Sequence, residues 1–275
     1  MPELPEVETV VRGLRKFLPG SPVSRVVLAN TRKFKSRPLA GLLGRKISGI
    51  SRRGKNILMG FDDGRHLVIH LGMTGQLCWD SPDRRTDRHT HLQLQFHKDN
   101  QVLYFRDVRR FGQLKLYRSK EQLWADEKFT RLGPEPLEVS LAEFRKLLDH
   151  KRAIKALLLD QNVIVGFGNI YVDESLFAAG LHPTHRACEI SPPAAGKLYR
   201  AMRRVFTQAI AAGGSTIRDY RQGDGTLGRF QSKHKVYQRT GQPCLRCRRK
   251  IERMIVAGRS SHFCPACQPL DSSKR

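Results

Sequence analysis

Two groups of residues in this 275-residue chain have types and spacings that can do chemistry. The first is the start, Met1-Pro-Glu-Leu-Pro-Glu. Once Met1 is removed, Pro2 carries a secondary amine beside the carboxylate of Glu3, and such an amine can attack an electrophilic carbon to form an iminium. An α-amino group titrates at roughly pH 7.7–8.0, so part of it is neutral at physiological pH. The alternative is an ordinary helix start, with Pro5 in the first turn and acidic residues favouring the N-terminus.

The second group consists of cysteines. Two Cys-x-x-Cys pairs, separated by sixteen residues, are formed by Cys244, Cys247, Cys264 and Cys267. Each pair places two thiolates on a tight turn, and together they complete a tetrahedral sulfur site for Zn²⁺. The alternatives are two disulfides or coincidence, and disulfides are disfavoured in a basic chain without a secretory signal. Four protein ligands fill the coordination shell, so the sequence predicts one structural zinc ion.

The charge indicates the class of partner. Fifty Lys and Arg residues against twenty-five Asp and Glu give a formal net charge of +25. This excess points to a polyanion, with DNA or RNA as the leading candidates. A membrane surface is disfavoured because the sequence has no apolar run near 18 residues and no long basic amphipathic helix. No signal peptide is recognised, so we expect a cytoplasmic protein.

The first half of the chain changes from helical to β periodicity. Apolar residues at helical spacing from Val7 to Leu18 predict an amphipathic helix of about four turns, ended by Pro19-Gly20. Short β-branched or alternating segments then follow, separated by turns such as Asp62-Asp63-Gly64 and Lys98-Asp99-Asn100. They predict an antiparallel sandwich or barrel with strands at Val23–Leu28, Lys46–Ile50, Asn56–Phe61, His66–His70, His91–Phe96, Val102–Arg106 and Gln113–Tyr117.

Beyond Leu132–Leu137, which has two prolines in three residues and reads as a boundary, the helical period returns. Helices are predicted around 141–148, 154–158, 170–179 and 191–213, with glycine-rich turns at 166–168. Arg218–Arg229 is predicted to be a mobile loop because of its three glycines. The segment from 232 to 275 holds eleven Lys and Arg against two Asp and Glu, so it forms a cationic lobe around the cysteines.

Several loops have residues suited to nucleic acid. Gly166–Tyr171 combines glycines with a helix N-terminus, which suits a phosphate, although a tight interhelical turn is the alternative. Met73 and Phe111 follow strands, flanked by glycine or arginine, and can act as wedges between base steps; alternatively they are core residues. The pair His89-Thr-His91 is compatible with a metal, a phosphate contact or neither, and Arg259 lies near the end of the predicted zinc hairpin.

In order and spacing, these motifs resemble the bacterial formamidopyrimidine-DNA glycosylases, which repair oxidised purines such as 8-oxoguanine. The resemblance covers the whole chain. Its motifs are the segments 1–9, 70–75, 107–112, 132–137, 154–161 and 166–171 and the four cysteines. It implies an α+β multidomain fold: an N-terminal β-sandwich with flanking helices (1–131), a helix–two-turns–helix domain (132–231) and a C-terminal zinc-finger β-hairpin (232–275). Double-stranded damaged DNA is the implied partner, bound by a monomer that is associated with the nucleoid.

The resemblance also implies roles for single residues. Pro2 is the nucleophile at C1′ of the damaged nucleotide, and Glu3 protonates the sugar as its ring opens. Lys55 assists β-elimination, and Arg259 binds phosphates and is associated with δ-elimination. The DNA-binding residues are Met73, Arg109 and Phe111, which fill the void left by the extruded base, with His89, Lys151 and Asn169. The family has a lysine near Arg218, where arginine keeps the charge and alters the geometry.

The implied activity is a bifunctional DNA glycosylase and abasic-site lyase. An extruded base exposes C1′ to the amine, and Lys and Arg contacts to phosphates give affinity on any sequence. Two rivals remain. One is the sister endonuclease VIII type, which removes oxidised pyrimidines and usually has glycine where this chain has Leu4. The other is a zinc-ribbon nucleic-acid binder without catalysis, which leaves the Pro2–Glu3 start unexplained.

Overall fold

The computed structural model describes residues 2–28, 37–80, 87–96, 101–216 and 227–270. Met1, the predicted turn at 98–100 and most of the predicted loop after Arg218 lie outside the described residues. The chain forms two units: unit 1 comprises Met1–Arg131 and Ala212–Arg229, and unit 2 comprises Leu132–Ala211 and Phe230–Arg275. The three-part division of the sequence stays a prediction.

Unit 1 begins with a helix that is followed by strands. Its elements are α1 (Leu4–Leu14), β1 (Val23–Leu28), α2 (Arg37–Ala40), β2 (Ile47–Arg53), β3 (Asn56–Phe61), β4 (His66–His70), β5 (Gly75–Asp80), β6 (Thr90–Phe96), β7 (Val102–Asp107), β8 (Gln113–Tyr117), α3 (Lys120–Ala125) and α4 (Glu127–Thr130). The strands form two four-stranded antiparallel sheets, ordered β1-β6-β7-β5 and β2-β3-β4-β8.

One apolar core joins both sheets to α1, which confirms the sandwich. It includes Val7, Val11 and Leu14 of the helix together with Ile57, Met59, Leu94 and Phe105 of the strands, all at most 1% exposed. Burying one such side chain contributes about 1.5–3 kcal/mol. The helical spacing on α1 is therefore explained by the contact of one face with the sheets.

Several elements of this unit differ from the sequence expectations: β2 continues to Arg53 instead of ending at Ile50, and α2, α3 and α4 have no predicted counterpart. The first helix ends at Leu14 because its last turn tightens, with N–H groups of Lys16 and Phe17 bonding carbonyls three residues back. Leu18 is nevertheless buried and anchors the following turn. Strand β5 has no predicted counterpart because Gly75–Asp80 contains no β-branched residue and no regular alternation.

Unit 2 is mainly helical. Its elements are α5 (Leu141–Leu147), α6 (Ile154–Leu158), α7 (Asn169–Ala179), α8 (Pro192–Ala211) and the hairpin strands β9 (Glu252–Val256) and β10 (Arg259–Phe263). A capping box between Ser140 and Glu143 begins α5, and Gly180, at φ 75°, ends α7 in the left-handed conformation. Tyr171 of α7 packs against Phe206 of α8, which fixes the two longer helices together.

The hairpin is anchored to α7 by a buried polar network. Asp173, 1% exposed, accepts hydrogen bonds from Lys155 Nζ at 2.7 Å and from the His262 N–H at 2.9 Å. The ammonium of Lys155 also donates to the Ser260 carbonyl at 2.7 Å. Lys155 is fully buried. Residues far apart in sequence are thus joined by one ion pair and its hydrogen bonds.

Replacing Asp173 by asparagine removes the charge that compensates this buried ammonium. We expect D173N to lower the free energy of unfolding of unit 2 by about 3–5 kcal/mol. Urea denaturation followed by circular dichroism measures this loss. As a control, the double variant Lys155→Met with Asp173→Leu removes both charges and should be markedly more stable than D173N, since no buried ion stays unpaired. A D173N protein as stable as the parent would contradict the prediction.

Among the helices that the structure describes, none is both long enough and apolar enough to cross a membrane.

Candidate functional site

The predicted nucleophile is at the N-terminal end of α1. Pro2 is buried, and Glu3, 3% exposed, is the N-cap residue. The Glu3 carboxylate accepts the N–H of Glu6, and Glu6 Oε2 accepts the N–H of Glu3 at 2.8 Å. This capping box fixes the residue beside Pro2, while the helix dipole favours negative charge there.

Glu6 also fixes a distant segment of unit 1. Its second oxygen, Oε1, accepts the Ser215 N–H at 2.7 Å. Gly214 has a φ of 78°, and a Cβ there would lie 2.8 Å from Glu6 Oε1, so only glycine fits. One buried carboxylate therefore holds both the start of α1 and the segment that enters residues 217–226.

The N-terminal end of α1 points towards the turn that holds Lys55. Arg15 donates to the Ile50 carbonyl at 2.6 Å, and the Arg52 guanidinium bonds Glu8 at 2.9 Å. These two contacts show that α1 runs antiparallel to β2. The start of α1 therefore lies towards the end of β2, which leads into Gly54 and Lys55. Lys55 is 8% exposed. The helix direction therefore brings two of the predicted catalytic segments to the same end of the sandwich.

Two loops connect the sheets at this end. Residues 71–74 join β4 to β5, and residues 108–112 join β7 to β8. The strand registers bring the ends of these loops together. His70, just before the first loop, pairs with Gln113, just after the second, across β4–β8. His70 also pairs across β3–β4 with Asn56, the residue after Lys55. The sequence motifs that contain Met73 and Phe111 are therefore adjacent.

A buried aspartate links the two loops. Asp107, fully buried, bonds the Thr74 hydroxyl at 2.5 Å and accepts the Gly112 N–H at 2.6 Å. Thr74 Oγ1 in turn accepts the N–H of Arg109 at 3.1 Å. A Cβ on Gly72 would lie 2.5 Å from the backbone of Phe111, so the loops touch without room for a side chain.

The loop tips project apolar side chains into solvent. Met73 is 40% exposed and Phe111 47%, and the Arg109 guanidinium lies 4.7 Å over the Phe111 ring. They are therefore not core residues, in contrast to the alternative from sequence. Below them, burial and the positive charges of Lys128 and Lys55 lower the pKa of His70 to about 4, so the ring is neutral and its Nδ1 accepts the Gly72 N–H at 3.1 Å.

Asparagine at position 107 would replace one of the two carboxylate oxygens, which accept the Gly112 N–H and the Thr74 hydroxyl, with an NH₂ group that cannot accept. We expect D107N to lower the free energy of unfolding of unit 1 by about 1–3 kcal/mol and to speed amide hydrogen exchange in residues 108–112. Denaturation and exchange mass spectrometry measure the two effects. The matched control is D87N, whose carboxylate is 41% exposed and bonds Arg106. Equal losses in both variants would mean that Asp107 does not hold the loops.

The two histidines of the His-Thr-His motif lie in different environments. The His89 carbonyl accepts the N–H of Asp107 at 2.9 Å, which places His89 beside the linked loops. His91 is fully buried, with Nε2 2.9 Å from the Asp107 carbonyl oxygen. Within the described residues, the only group of three or more potential metal ligands is formed by the four cysteines, and neither histidine belongs to it.

In unit 2, the glycine-rich turn before α7 is built around Gln161. Its amide nitrogen donates to the carbonyls of Leu159 and Phe167 at 3.0 Å, and its oxygen accepts the Gly166 N–H at 2.9 Å. Gly166 has a φ of 89°. The turn thereby leads to Gly168, the N-cap of α7, and fixes the position at which this helix begins.

Asn169 contacts the backbone next to Arg259, whereas Lys151 takes no part in this contact. Asn169 Nδ2 donates to the Ser260 carbonyl at 2.8 Å, so the exposed residue Arg259 lies at the N-terminal end of α7. The Asn169 Oδ1 atom is buried and has no hydrogen-bond partner among the described residues. Lys151 is exposed in the segment that precedes α6.

The four predicted zinc ligands converge. Their sulfur atoms all lie within 4.8 Å of one another, with Sγ separations of 3.9 Å between Cys244 and Cys267 and 3.4 Å between Cys247 and Cys264. A tetrahedral site with Zn–S bonds of about 2.3 Å requires sulfur separations of this size. The residues therefore fit a zinc ion, which would join the turn before β9 to the turn after β10 at the open end of the hairpin.

Sequence patterns missed the residues that position these groups. No sequence pattern indicates Asp107, Asp173 or Lys155, and Glu6 is indicated only as an acidic residue that favours the helix N-terminus. A lysine between the apolar residues Ile154 and Leu157 of a short helix was the one available signal, because a buried lysine requires a partner.

Comparison with known proteins gives matches along the chain. The formamidopyrimidine-DNA glycosylase N-terminal domain matches residues 1–114, the formamidopyrimidine-DNA glycosylase H2TH domain matches 132–221, and the zinc finger found in FPG and IleRS matches 241–270. The formamidopyrimidine-DNA glycosylase of Solibacter usitatus is 47% identical, with 98% of this chain and 99% of that protein covered.

Two solved structures from Lactococcus lactis have the same fold. One is a complex of Fpg with DNA containing an abasic site, and the other is a complex of wild-type Fpg with DNA containing N7-benzyl-Fapy-dG. Each has a TM-score of 0.90 and 36% identity and covers 98% of this chain and 100% of the solved chain. With the zinc-finger match, the cysteine cluster establishes one structural zinc ion.

Proposed function

Because the chain belongs to the formamidopyrimidine-DNA glycosylase family, which makes it a DNA glycosylase of base excision repair, we propose that it removes oxidised purines and then cleaves the abasic site. The substrates are 8-oxoguanine and formamidopyrimidines in double-stranded DNA. The observation that carries this proposal is the buried Pro2–Glu3 pair held by Glu6 at the start of α1.

Pro2 performs the substitution at the sugar. After removal of Met1, its nitrogen forms a bond to C1′ of the damaged nucleotide, and the bond from C1′ to the base breaks with the electron pair leaving on the base. Glu3 donates a proton to O4′ as the C1′–O4′ bond opens, and the nitrogen loses its proton to give an iminium. Because the iminium acidifies C2′–H, the sugar is prepared for elimination.

Elimination then breaks the strand. Loss of the C2′ proton expels the 3′ phosphate, with Lys55 assisting as a nearby base or phosphate contact. A second, δ-elimination expels the 5′ phosphate, for which Arg259 is the proposed phosphate ligand. Hydrolysis of the remaining iminium frees Pro2, and the product is a one-nucleotide gap.

The exposed loops supply access to the base. Extruding a nucleotide costs a few kcal/mol, and wedges that occupy the vacated stack offset this cost. Met73, Arg109 and Phe111 are exposed on two linked loops and have the shapes needed. His89, Lys151 and Asn169 are the proposed additional DNA contacts. The excess of basic residues supports binding to DNA phosphates whatever the base sequence. The protein is proposed to act as a monomer, in the cytoplasm, associated with the nucleoid.

Cleavage of defined duplexes tests the substrate. Oligonucleotides with 8-oxoguanine opposite cytosine, or with thymine glycol, are incubated with the zinc-loaded protein, with and without borohydride. We expect cleavage and covalent trapping mainly on 8-oxoguanine. Predominant cleavage of thymine glycol would favour the endonuclease VIII type, which removes oxidised pyrimidines. Binding without any trapping, on protein whose intact mass shows loss of Met1, would favour a non-catalytic binder.

A further inference from the structure

Unit 2 contains an open cavity that none of the proposed DNA contacts uses. Its volume is about 620 Å³, and it lies among the C-terminal halves of α7 and α8 and the segments 230–235 and 245–246. Asn169, the first residue of α7, is the proposed DNA contact on that helix. Phe177, which lines the cavity, is eight residues further on, about 12 Å along the helix axis.

The floor of this cavity is apolar. Phe177, Val205 and Phe230 form it and are 4%, 6% and 3% exposed. Leu245, at the edge, is 53% exposed. An exposed leucine beside a concave apolar floor provides a surface that a bulky apolar side chain can cover, with a gain of about 25 cal/mol per Å² buried.

The rim is cationic. Arg204, Lys233, Lys235 and Arg246 line the cavity and are exposed. The one lining carboxylate, Glu174, is buried and accepts the N–H groups of residues 235–237 at 2.9–3.0 Å, and its burial raises its pKa. The carboxylate is therefore occupied by backbone groups, and the rim presents positive charge to solvent.

The combination favours a flexible acidic peptide over nucleic acid. Bases bind such sites by stacking on exposed ring faces. Phe177 and Phe230 expose almost no ring surface, and the Arg246 guanidinium lies 4.7 Å over the Phe177 ring. A peptide can instead insert one side chain against the floor while its own carboxylates reach the rim.

We propose that this cavity is a docking site for a partner protein, which it binds through an acidic segment with a bulky apolar residue. The apolar residue occupies the floor between α7 and α8, and flanking Asp or Glu residues bind Arg204 and Lys233. Docking here leaves the N-terminal end of α7 and the hairpin end with Arg259 uncovered, so the partner can be bound together with DNA.

Fluorescence anisotropy on the full zinc-loaded chain tests the proposal. The probe is a labelled peptide in which several aspartates flank a Phe-Leu pair. We expect the double variant R204E/K233E to weaken binding at least about tenfold. The matched control, K146E/K197E, makes the same charge change at two exposed lysines of unit 2 that do not line the cavity and should change binding less than about twofold. A peptide with Ser-Ser in place of Phe-Leu should also bind at least about tenfold more weakly.

A second variant tests the cavity without changing charge. Ala178→Trp fills it, and we expect the same loss of peptide binding with an unchanged zinc content. Equal weakening by both charge-reversal pairs, or undiminished binding to the Trp variant, would overturn the proposal. So would an effect of R204E/K233E on an undamaged oligonucleotide that exceeds its effect on the peptide, since the rim would then be a nucleic-acid surface.

Discussion

Blocking the amine of Pro2 should abolish covalent trapping on damaged DNA. With Met1 attached, the nitrogen is a tertiary amide, which is not nucleophilic, and we expect trapping and strand cleavage to fall by about 10³-fold or more. Pro2→Gly should likewise abolish trapping, because the ring that fixes the amine beside Glu3 is lost. Both forms should still bind duplex DNA with an affinity within about threefold of the processed protein, because the phosphate contacts stay.

Borohydride trapping, intact-mass measurement and duplex-binding titration test this prediction on the same samples. The matched control is Pro5→Ala, which changes another buried proline of the same segment and leaves the amine in place. It should retain trapping within about tenfold. Efficient trapping by a protein that is fully blocked at its N-terminus would contradict the assignment of Pro2 and point to a lysine, with Lys55 the first candidate.

Removing a zinc ligand should unfold the hairpin and weaken DNA binding. Structural zinc contributes an apparent 10–16 kcal/mol, roughly, in small zinc modules at pH 7, which exceeds what the small apolar cluster around Val236 and Ile251 supplies. We expect Cys247→Ser, or chelation of the parent, to release zinc and expose residues 241–263 to protease. DNA affinity should fall at least about tenfold because Arg259 loses its position.

Zinc analysis, limited proteolysis and DNA titration measure these changes. Cys188→Ser is the control: this cysteine is exposed and lies outside the cluster, so zinc content and affinity should be unchanged. A Cys247→Ser protein with a full zinc content and parental DNA affinity would show that the hairpin does not depend on the metal.

Local patterns predicted the parts of the fold that depend on local chemistry. Short β-branched or alternating segments bounded by turn signals predicted Asn56–Phe61 and His66–His70 to the residue, and Cys-x-x-Cys spacing predicted the zinc cluster. Resemblance supplied the candidate residues, and the structure places Met73 and Phe111 on exposed loops of one sandwich end. These predictions were possible because a strand, a Cys-x-x-Cys turn and a loop motif each depend on a few adjacent residues.

Long-range polar pairs could not be predicted in this way. Thr74 and Asp107 are 33 residues apart, and Lys155 and Asp173 are 18 apart, while Ser260 follows Lys155 by 105. Nothing in the sequence near either partner specifies the other, because burial and register are decided by tertiary packing. The same reason explains why the segment 212–229 gave no sign of belonging to unit 1.

That discontinuity has a consequence for synthesis on the ribosome. Unit 1 needs residues 212–229, and the N–H of Ser215 reaches Glu6 only after 209 further residues have been added. At a synthesis rate of about 5–20 residues per second, roughly 5–20 s pass between the addition of Arg131 and the addition of Arg229. The contact between Glu6 and Ser215 is therefore among the last to form in unit 1. A nascent chain stalled before residue 215 has a folded sheet core, but the start of α1 beside Pro2 lacks this stabilising contact.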